Sequence, residues 1–339
     1  MAQLNVSSNP YTFVRVSVMK SRLLRKEDYD RLLKMSVPEI TGFLGQTEYK
    51  KEIDELAMRH SGSELVELAL NKNLVSTFRK LLRISDDNLN EFISVFFKRN
   101  DIWNLSLVLR AKFSGMNPEE VRDMFLPVGQ FPQEELEAML EKSIEDIVSG
   151  LARKGLLSQS GETSQAALEN SLTGNYYQSV AEFTRNIKAE GHLFLRFLQE
   201  EIAILNLVTI FKMKRDKVPS DQIMAAMFVP KLHKSLAGFV AAKDLDELFR
   251  LLQESRFSEA AQEGYEEFRK TGSLAVLESA LNRRLLERTI LLTHQNPLSI
   301  EVLLGYMFAK HIEVKNIRLI VKAKSLRIPQ EFIEREVIA

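Results

Sequence analysis

One helical phrase is written three times in this chain, and it limits the possible folds more than any other feature. It runs Asp101-Ile-Trp-Asn104 to Arg110-Ala-Lys112, then Glu201-Ile-Ala-Ile-Leu-Asn206 to Lys212-Met-Lys214, then Glu313-Val-Lys-Asn316 to Lys322-Ala-Lys324. Each copy places a basic residue six positions after the asparagine and a lysine eight positions after it. The asparagines stand at 104, 206 and 316, so each copy follows the last after a little over a hundred residues. Open superhelical arrays such as tetratricopeptide or HEAT repeats have periods of about 34 to 47 residues. A period more than twice as long points to a few larger lobes.

The repetition continues on both sides of the phrase. Downstream, each copy meets a proline that opens an acidic helix start, at Pro118-Glu119-Glu120, Pro219-Ser220-Asp221 and Pro329-Gln330-Glu331. Proline suits the first helical position and acids suit the positive end of the helix dipole. Two copies go on to Met124-Phe125-Leu126-Pro127 and Met227-Phe228-Val229-Pro230. Upstream, Glu67, Glu169 and Glu278 precede Asn104, Asn206 and Asn316 at intervals that differ by no more than one position. Farther upstream, Ser36 to Glu39, Ser143 to Asp146 and Asp244 to Glu247 have the spacing of a capping box. The chain is therefore expected to hold three repeats of about a hundred residues, spanning 1–130, 131–232 and 233–339, with boundaries near Gly129 to Pro132 and near Lys231 to Ser235.

Every expected element is a helix. Ser63 to Arg83, Asn88 to Phe97, Glu134 to Lys154, Gln178 to Lys188 and Ala237 to Gln253 place apolar residues at three- and four-residue spacing. Tyr11 to Lys20 alternates its valines but runs unbroken into Ser21, and reads as helix. The polar stretch Leu157 to Gln165 reads as a loop. Apolar residues make up 45% of the 339, ample for several cores. Trp103 and Phe96-Phe97 are expected inside.

On a helix, the acid three places before the asparagine and the lysine eight places after it point within about 20° of each other. Asp101, Asn104, Asn206, Glu313 and Asn316 thus form a polar stripe on otherwise apolar helices, with Ala203 breaking the pattern in the second copy. Two uses are open. The groups can satisfy one another and nearby backbone at a packed seam, or the basic ends Arg110, Lys112, Lys212, Lys214, Lys322 and Lys324 can point at a common partner.

Several functions are argued against. The 46 basic and 46 acidic residues balance, so no excess charge advertises nucleic acid. Cysteine is absent, which removes disulfides, thiolate metal sites and a cysteine nucleophile. His60, His192, His233, His294 and His311 stand singly without metal-binding spacing. Asp86-Asp87 lacks the third aspartate of the metal-binding pattern of helical prenyl-chain enzymes and reads as a helix cap. No phosphate-cradling glycine loop occurs. Neither cofactor, metal, small-molecule substrate nor catalytic residue is expected. The first ten residues show no secretory signal, and the longest apolar run, Ile202 to Phe211, is about half a membrane span.

Tyr11-x-Phe-Val-Arg15-Val-x-x-Met-Lys-Ser-x-Leu23-Leu24, Leu44-Gly-Gln-Thr-Glu-Tyr49 and the repeated asparagine phrase resemble the C-subunit family of A-type/V-type ATP synthases, whose vacuolar counterpart is the d subunit. The stretch from Asn296-Pro297 through Gly305-Tyr306 and Lys310 to Lys324 resembles it most specifically, and the likeness runs from about residue 11 to the end. It implies three helical lobes around a pseudo-threefold axis, forming a funnel. It also implies a non-catalytic rotor part at the cytoplasmic face of the membrane, a monomer within a complex of several subunits. Such a part caps the membrane proteolipid (c/K) ring, receives the D and F subunits of the central stalk, and passes torque between ion flow and ATP synthesis or hydrolysis. The six basic helix ends would be the axial contacts. The coupling ion, proton or sodium, would be chosen in the ring. The lack of extensions is what a prokaryotic, archaeal-type complex would have. The alternative is a generic helical-repeat scaffold without a membrane partner.

Overall fold

The computed structural model describes residues 9–157, 164–185, 192–229, 236–293 and 300–337, and every regular element among them is helical. The helices are α1 (Pro10–Lys20), α2 (Lys26–Leu32), α3 (Val37–Leu44), α4 (Lys50–Leu56), α5 (Gly62–Ile84), α6 (Asp87–Ser114), α7 (Pro118–Arg122), α8 (Gln133–Leu140) and α9 (Ile144–Arg153). They continue with α10 (Gln165–Arg185), α11 (His192–Arg215), α12 (Ser220–Ala226), α13 (Ala237–Ala241), α14 (Leu245–Gln253), α15 (Ser258–Thr271), α16 (Ala275–Thr293), α17 (Ile300–Ser325) and α18 (Gln330–Glu336). Outside the described residues lie the terminal Met1 to Ser8, most of the polar loop (158–163), residues 186–188, the expected boundary at 231–235 with Pro230 and His233, His294, and the start of the C-terminal stretch at 296–299.

The three phrases lie on the long helices α6, α11 and α17, and all three end in the same way. The residue eleven places after the asparagine is left-handed in each copy, Gly115 at φ 65°, Lys217 at φ 57° and Arg327 at φ 56°. The next N–H reaches back five residues, from Met116 to the Ala111 carbonyl (3.1 Å), from Val218 to Met213 (2.9 Å) and from Ile328 to Ala323 (2.9 Å). This is the Schellman stop, which satisfies carbonyls the helix end leaves over. The proline of each following helix comes shortly after.

Helix starts account for two departures from the expected elements. The segment Glu134 to Lys154 is two helices, α8 and α9, because Ser143 Oγ accepts from the Asp146 N–H at 3.1 Å and starts a new one. Ala237 to Gln253 likewise divides into α13 and α14, where Asp244 accepts from the Glu247 N–H at 2.9 Å. An N-cap residue has extended backbone and cannot sit inside a continuous helix. Asp86 caps α6 through the Leu89 N–H (2.9 Å).

The chain divides into two compact units. The first joins residues 1–176 to 296–339. In it α17 packs on α5, α1 and α3, and α5 packs on α4. A ring cluster ties α5, α6 and α17 together: Phe78 stacks on Phe97 (4.7 Å) and on His311 (5.2 Å), and Phe96 meets Phe308 edge-on (4.9 Å). A second core gathers Leu105, Val108 and Leu109 of α6 with Phe125, Leu136, Leu140, Ile147, Leu151 and Leu172. The other unit spans 177–295, where α11 lies against α16 and α14, and α15 lies against α14 and α16. Its centre is Phe249, which meets Phe211 (4.9 Å), Tyr265 (5.1 Å) and Phe268 (5.6 Å).

Trp103 was expected inside and is 46% exposed. It lies two turns from Arg110 and shares its outward face of α6, whereas Asn104 and Leu105 face inward.

A non-glycine residue in the left-handed region carries a steric cost that glycine avoids, partly offset by glycine's greater unfolded-state freedom. Lys217→Gly and Arg327→Gly are each expected to raise stability by about 0.5–1 kcal/mol, and Gly115→Ala to lower it by a similar amount. Thermal unfolding of the three variants checks this.

Candidate functional site

The stripe residues are buried and hold backbone. Asn104 Nδ2 donates to the Leu126 carbonyl (2.9 Å) while its Oδ1 accepts the Leu126 N–H (2.8 Å). Asn206 does the same to Phe228 at 2.9 and 2.7 Å, again 22 residues ahead. Each amide thereby pairs one donor and one acceptor with a single peptide position in the segment after the Schellman stop. Asn316 is also fully buried, and the Tyr29 hydroxyl is hydrogen-bonded to it. Residue 338, the equivalent position in the third copy, lies outside the described residues.

The acids three places earlier secure the next stretch of backbone. Asp101 accepts from the N–H of Gln130 (2.9 Å) and of Phe131 (3.2 Å). A Cβ added to Gly129 would overlap the Asp101 carboxylate, so only glycine lets the backbone come this near. Burial pushes the Asp101 carboxyl up to about 6, against the pull of those two N–H groups and of Lys98. Glu313 does the equivalent work in the third copy: Oε2 accepts the Leu24 N–H (2.6 Å), and Oε1 accepts from Tyr49 Oη (2.6 Å) and Lys310 Nζ (2.8 Å). Lys310 also donates to Tyr49 Oη (2.9 Å), and its ammonium lies over the Tyr49 ring, 4.1 Å from the centroid. Burial, together with the Glu313 charge, drives the Tyr49 hydroxyl pKa well above its usual value. In the second copy Ala203 is buried and carries no such group.

The six basic residues divide by position. The lysines eight places after each asparagine donate to the carbonyl at the end of a short helix: Lys112 to Leu140 (2.7 Å), Lys214 to Ala242 (2.8 Å) and Lys324 to Leu33 (2.7 Å). A cation there satisfies a carbonyl left over at the helix end and suits the negative end of the dipole. The basic residues six places after the asparagine lie farther out. Arg110 forks onto Glu169, with Nη2 at 2.5 Å from Oε2, and Lys212 pairs with Glu278 at 2.7 Å. Burial raises the Glu169 pKa, but bonds from Arg110 and Gln165 outweigh it and hold the group below its usual range. Lys322 is exposed, with no ion pair among the described residues. Five of the six cations thus have a partner within the chain.

The third copy shows what this bonding does for topology. Glu313 holds the N–H of Leu24 as Asp101 holds that of Phe131, and Lys324 holds the carbonyl of Leu33 as Lys112 holds that of Leu140. Phe131 follows Leu24 at the same interval at which Leu140 follows Leu33. The last repeat therefore grips the opening of the first as the first grips the opening of the second. Lys310 and Tyr49 stand in the stretches that carry the family resemblance but had no role assigned from sequence, although Lys98 stands six places before Asn104 as Lys310 does before Asn316. No group of three or more metal-ligating side chains occurs among the described residues.

The sequence model of the ATP synthase (C/AC39) subunit family matches residues 13–336. The chain is similar to a protein of Methanococcoides burtonii named as the C subunit of an A-type ATP synthase, at 35% identity over 98% of this chain and 95% of that one. It is similar to proteins of the same name from Methanosarcina mazei, at 34% over 98% and 93%, and Archaeoglobus fulgidus, at 32% over 97% and 95%.

Two stability tests come from the buried acids. The folded Asp101 keeps its proton to about pH 6, whereas the exposed group loses it near 3.8. The fold thus binds the proton more tightly than the unfolded chain does, and the contribution is greatest below about pH 4 and lost as pH rises through 6. Relative to Asp101→Asn, the wild type is expected to lose about 2 kcal/mol between pH 4 and pH 7 in urea unfolding. Lys310→Met leaves Glu313 buried without its cation and is expected to cost about 3–5 kcal/mol. Adding Glu313→Gln should recover part of that loss in the same assay.

Proposed function

This chain belongs to the ATP synthase (C/AC39) subunit family, and on that premise we propose that it is a non-catalytic structural subunit of an A-type ATP synthase. Within that complex it is the rotor connector: it sits on the membrane proteolipid ring, receives the foot of the central stalk formed by the D and F subunits, and carries torque between them. The observation that carries this reading is the unbroken likeness of nearly the whole chain to proteins named as that subunit, 98% of it at 35% identity in one case.

The internal geometry supports it. A torque-bearing part must resist bending, and here the buried acids, amides and lysines of the long helices are spent on clamping backbone that lies 22 to 30 residues ahead. Packing at crystal-like density makes such an interior hard to deform, and paired buried polar groups add directional restraint. Among the described residues no helix is long and apolar enough to cross a membrane, which suits a subunit held to the cytoplasmic face by its partners. The three repeats, 1–130, 131–232 and 233–339, serve as lobes. The outward sides of Arg110, Lys212 and Lys322, beside Lys112, Lys214 and Lys324, form the basic contacts to stalk or ring.

Co-purification of the tagged chain from detergent-solubilised membranes tests the proposal. The expected companions, identified by mass spectrometry, are the proteolipid and both stalk subunits. A chain recovered alone under mild salt would count for a generic helical scaffold instead.

A further inference from the structure

The third repeat breaks a pattern that the other two keep. Arg110 and Lys212 each meet a glutamate on a long helix of the next repeat, Glu169 and Glu278. The remaining glutamate of that series is Glu67, on α5 against which α17 packs, and the remaining cation is Lys322. Arg318 stands one turn before Lys322. It is drawn to the Glu67 charge and donates to Asn71 Oδ1 at 2.6 Å, whereas the corresponding positions in the other repeats are Ser106 and Val208. Lys322 is left exposed without a carboxylate among the described residues.

The surface around Lys322 differs in the same repeat. Leu326 (67% exposed), Ile328 (41%) and Phe332 (60%) surround the Schellman stop of α17 and the first turn of α18. Counted from the asparagine, the first repeat has Ser114, Met116 and Glu120 there, and the second has Asp216, Val218 and Gln222. The count is sound because the next residue is buried in all three, as Val121, Ile223 and Ile333. Leu326 lies one turn beyond Lys322, and its N–H donates to the Lys322 carbonyl at 3.0 Å. A cation without an acid among the described residues therefore stands one turn before a helix stop that carries three exposed apolar side chains, in the one repeat where all three positions are apolar.

We propose that Lys322, Leu326, Ile328 and Phe332 form a docking surface for a helix of a partner protein that brings a carboxylate to Lys322 and apolar side chains to the other three. The two filled repeats state the chemistry of the occupant, since each sets a glutamate on a helix against this cation. The occupant is sought outside the chain because Lys322 has no carboxylate partner among the described residues, the chain's own candidate Glu67 included. An amphipathic helix laid on an apolar surface with one fixed ion pair is a common recognition mode, and large apolar side chains near a charged rim carry most of the energy in such contacts. The proposal rests on the chain's place in a larger complex, and adds that one helix end of the three is the seat.

A photo-crosslinking amino acid at Phe332, in the complex purified from membranes, tests this, with Met58 (89% exposed) as the control position. The expected result is one protein adduct from Phe332 that Met58 does not give, joined to a helix with an aspartate or glutamate beside apolar residues. Lys322→Glu with Leu326→Asp should lower the yield about tenfold or more while thermal unfolding stays unchanged. Reversing the partner's acid to lysine should restore the yield to Lys322→Glu alone. No adduct, an adduct to lipid or to a second copy of this chain, or a yield indifferent to Lys322→Glu with Leu326→Asp would overturn the docking surface. Absence of the chain from the purified complex would instead overturn its assignment as a subunit.

Discussion

A buried asparagine that spends its amide on a single peptide position is the interaction on which the rest of this fold depends. Asn104 and Asn206 each give a donor and an acceptor to one residue 22 places ahead, at distances between 2.7 and 2.9 Å. That residue lies beyond a helix stop and a short helix, so the bond fixes how the chain turns back along the long helix. An apolar residue in that place would leave a buried N–H and carbonyl unpaired, at about 1–3 kcal/mol for each. Aspartate or glutamate one turn earlier and lysine two turns later extend the same grip, so a single helix face sets the course of the chain into the opening of another repeat. Apolar packing then fills the space this path encloses.

This division of labour explains how much the sequence discloses. The repeat is legible because the clamping groups are polar residues at fixed spacing in apolar helices, a pattern that loose packing alone would not preserve three times. The spacing leaves open whether Lys112, Lys214 and Lys324 face a partner or the chain itself, since a helix end dipole and an external acid ask for the same cation. The structure gives all three to carbonyls. Trp103 shows a different limit. Among apolar neighbours it reads as core, yet its angle places it on the Arg110 face, and residue type alone does not fix which side of a largely apolar helix is outward. The breaks at Ser143 and Asp244 were present as caps, but the apolar period runs across both. The bond from Tyr49 to Glu313 joins positions 264 residues apart, beyond what local pattern reveals.

The clamps also tie the two ends of the chain together. Glu313 and Lys324 hold Leu24 and Leu33 with the same atoms that Asp101 and Lys112 use on Phe131 and Leu140. The opening of the first repeat and the grip of the last have no neighbouring repeat in sequence to engage. Here each is taken up by the other, and the buried Lys310–Glu313 pair reinforces the junction where chain continuity gives no help. Retaining an ion pair in the interior is a poor route to stability, since desolvation of the two charges offsets most of their attraction. Its value lies in direction: the carboxylate accepts only where Leu24, Tyr49 and Lys310 converge, and that fixes the register of the closing contact.

Near-repetition makes the exceptions informative. Three copies of one design have every reason to end alike, and in backbone they do, with left-handed residues at 115, 217 and 327 followed by the same five-residue hydrogen bond. Side chains around that common stop then diverge in one copy alone: an arginine enters at 318, the outer cation at 322 has no acid among the described residues, and three apolar groups are exposed at that end. Arg318 makes its bond to Asn71 within the chain, whereas the exposed apolar groups do nothing for the isolated molecule. Leu326 and Phe332 are mostly exposed and add little to the core. Exposed apolar groups that gather on one helix end fit the docking surface proposed there. A body built from three similar parts needs such a departure to hold a partner in one orientation, because equivalent ends would leave equivalent seats to choose among.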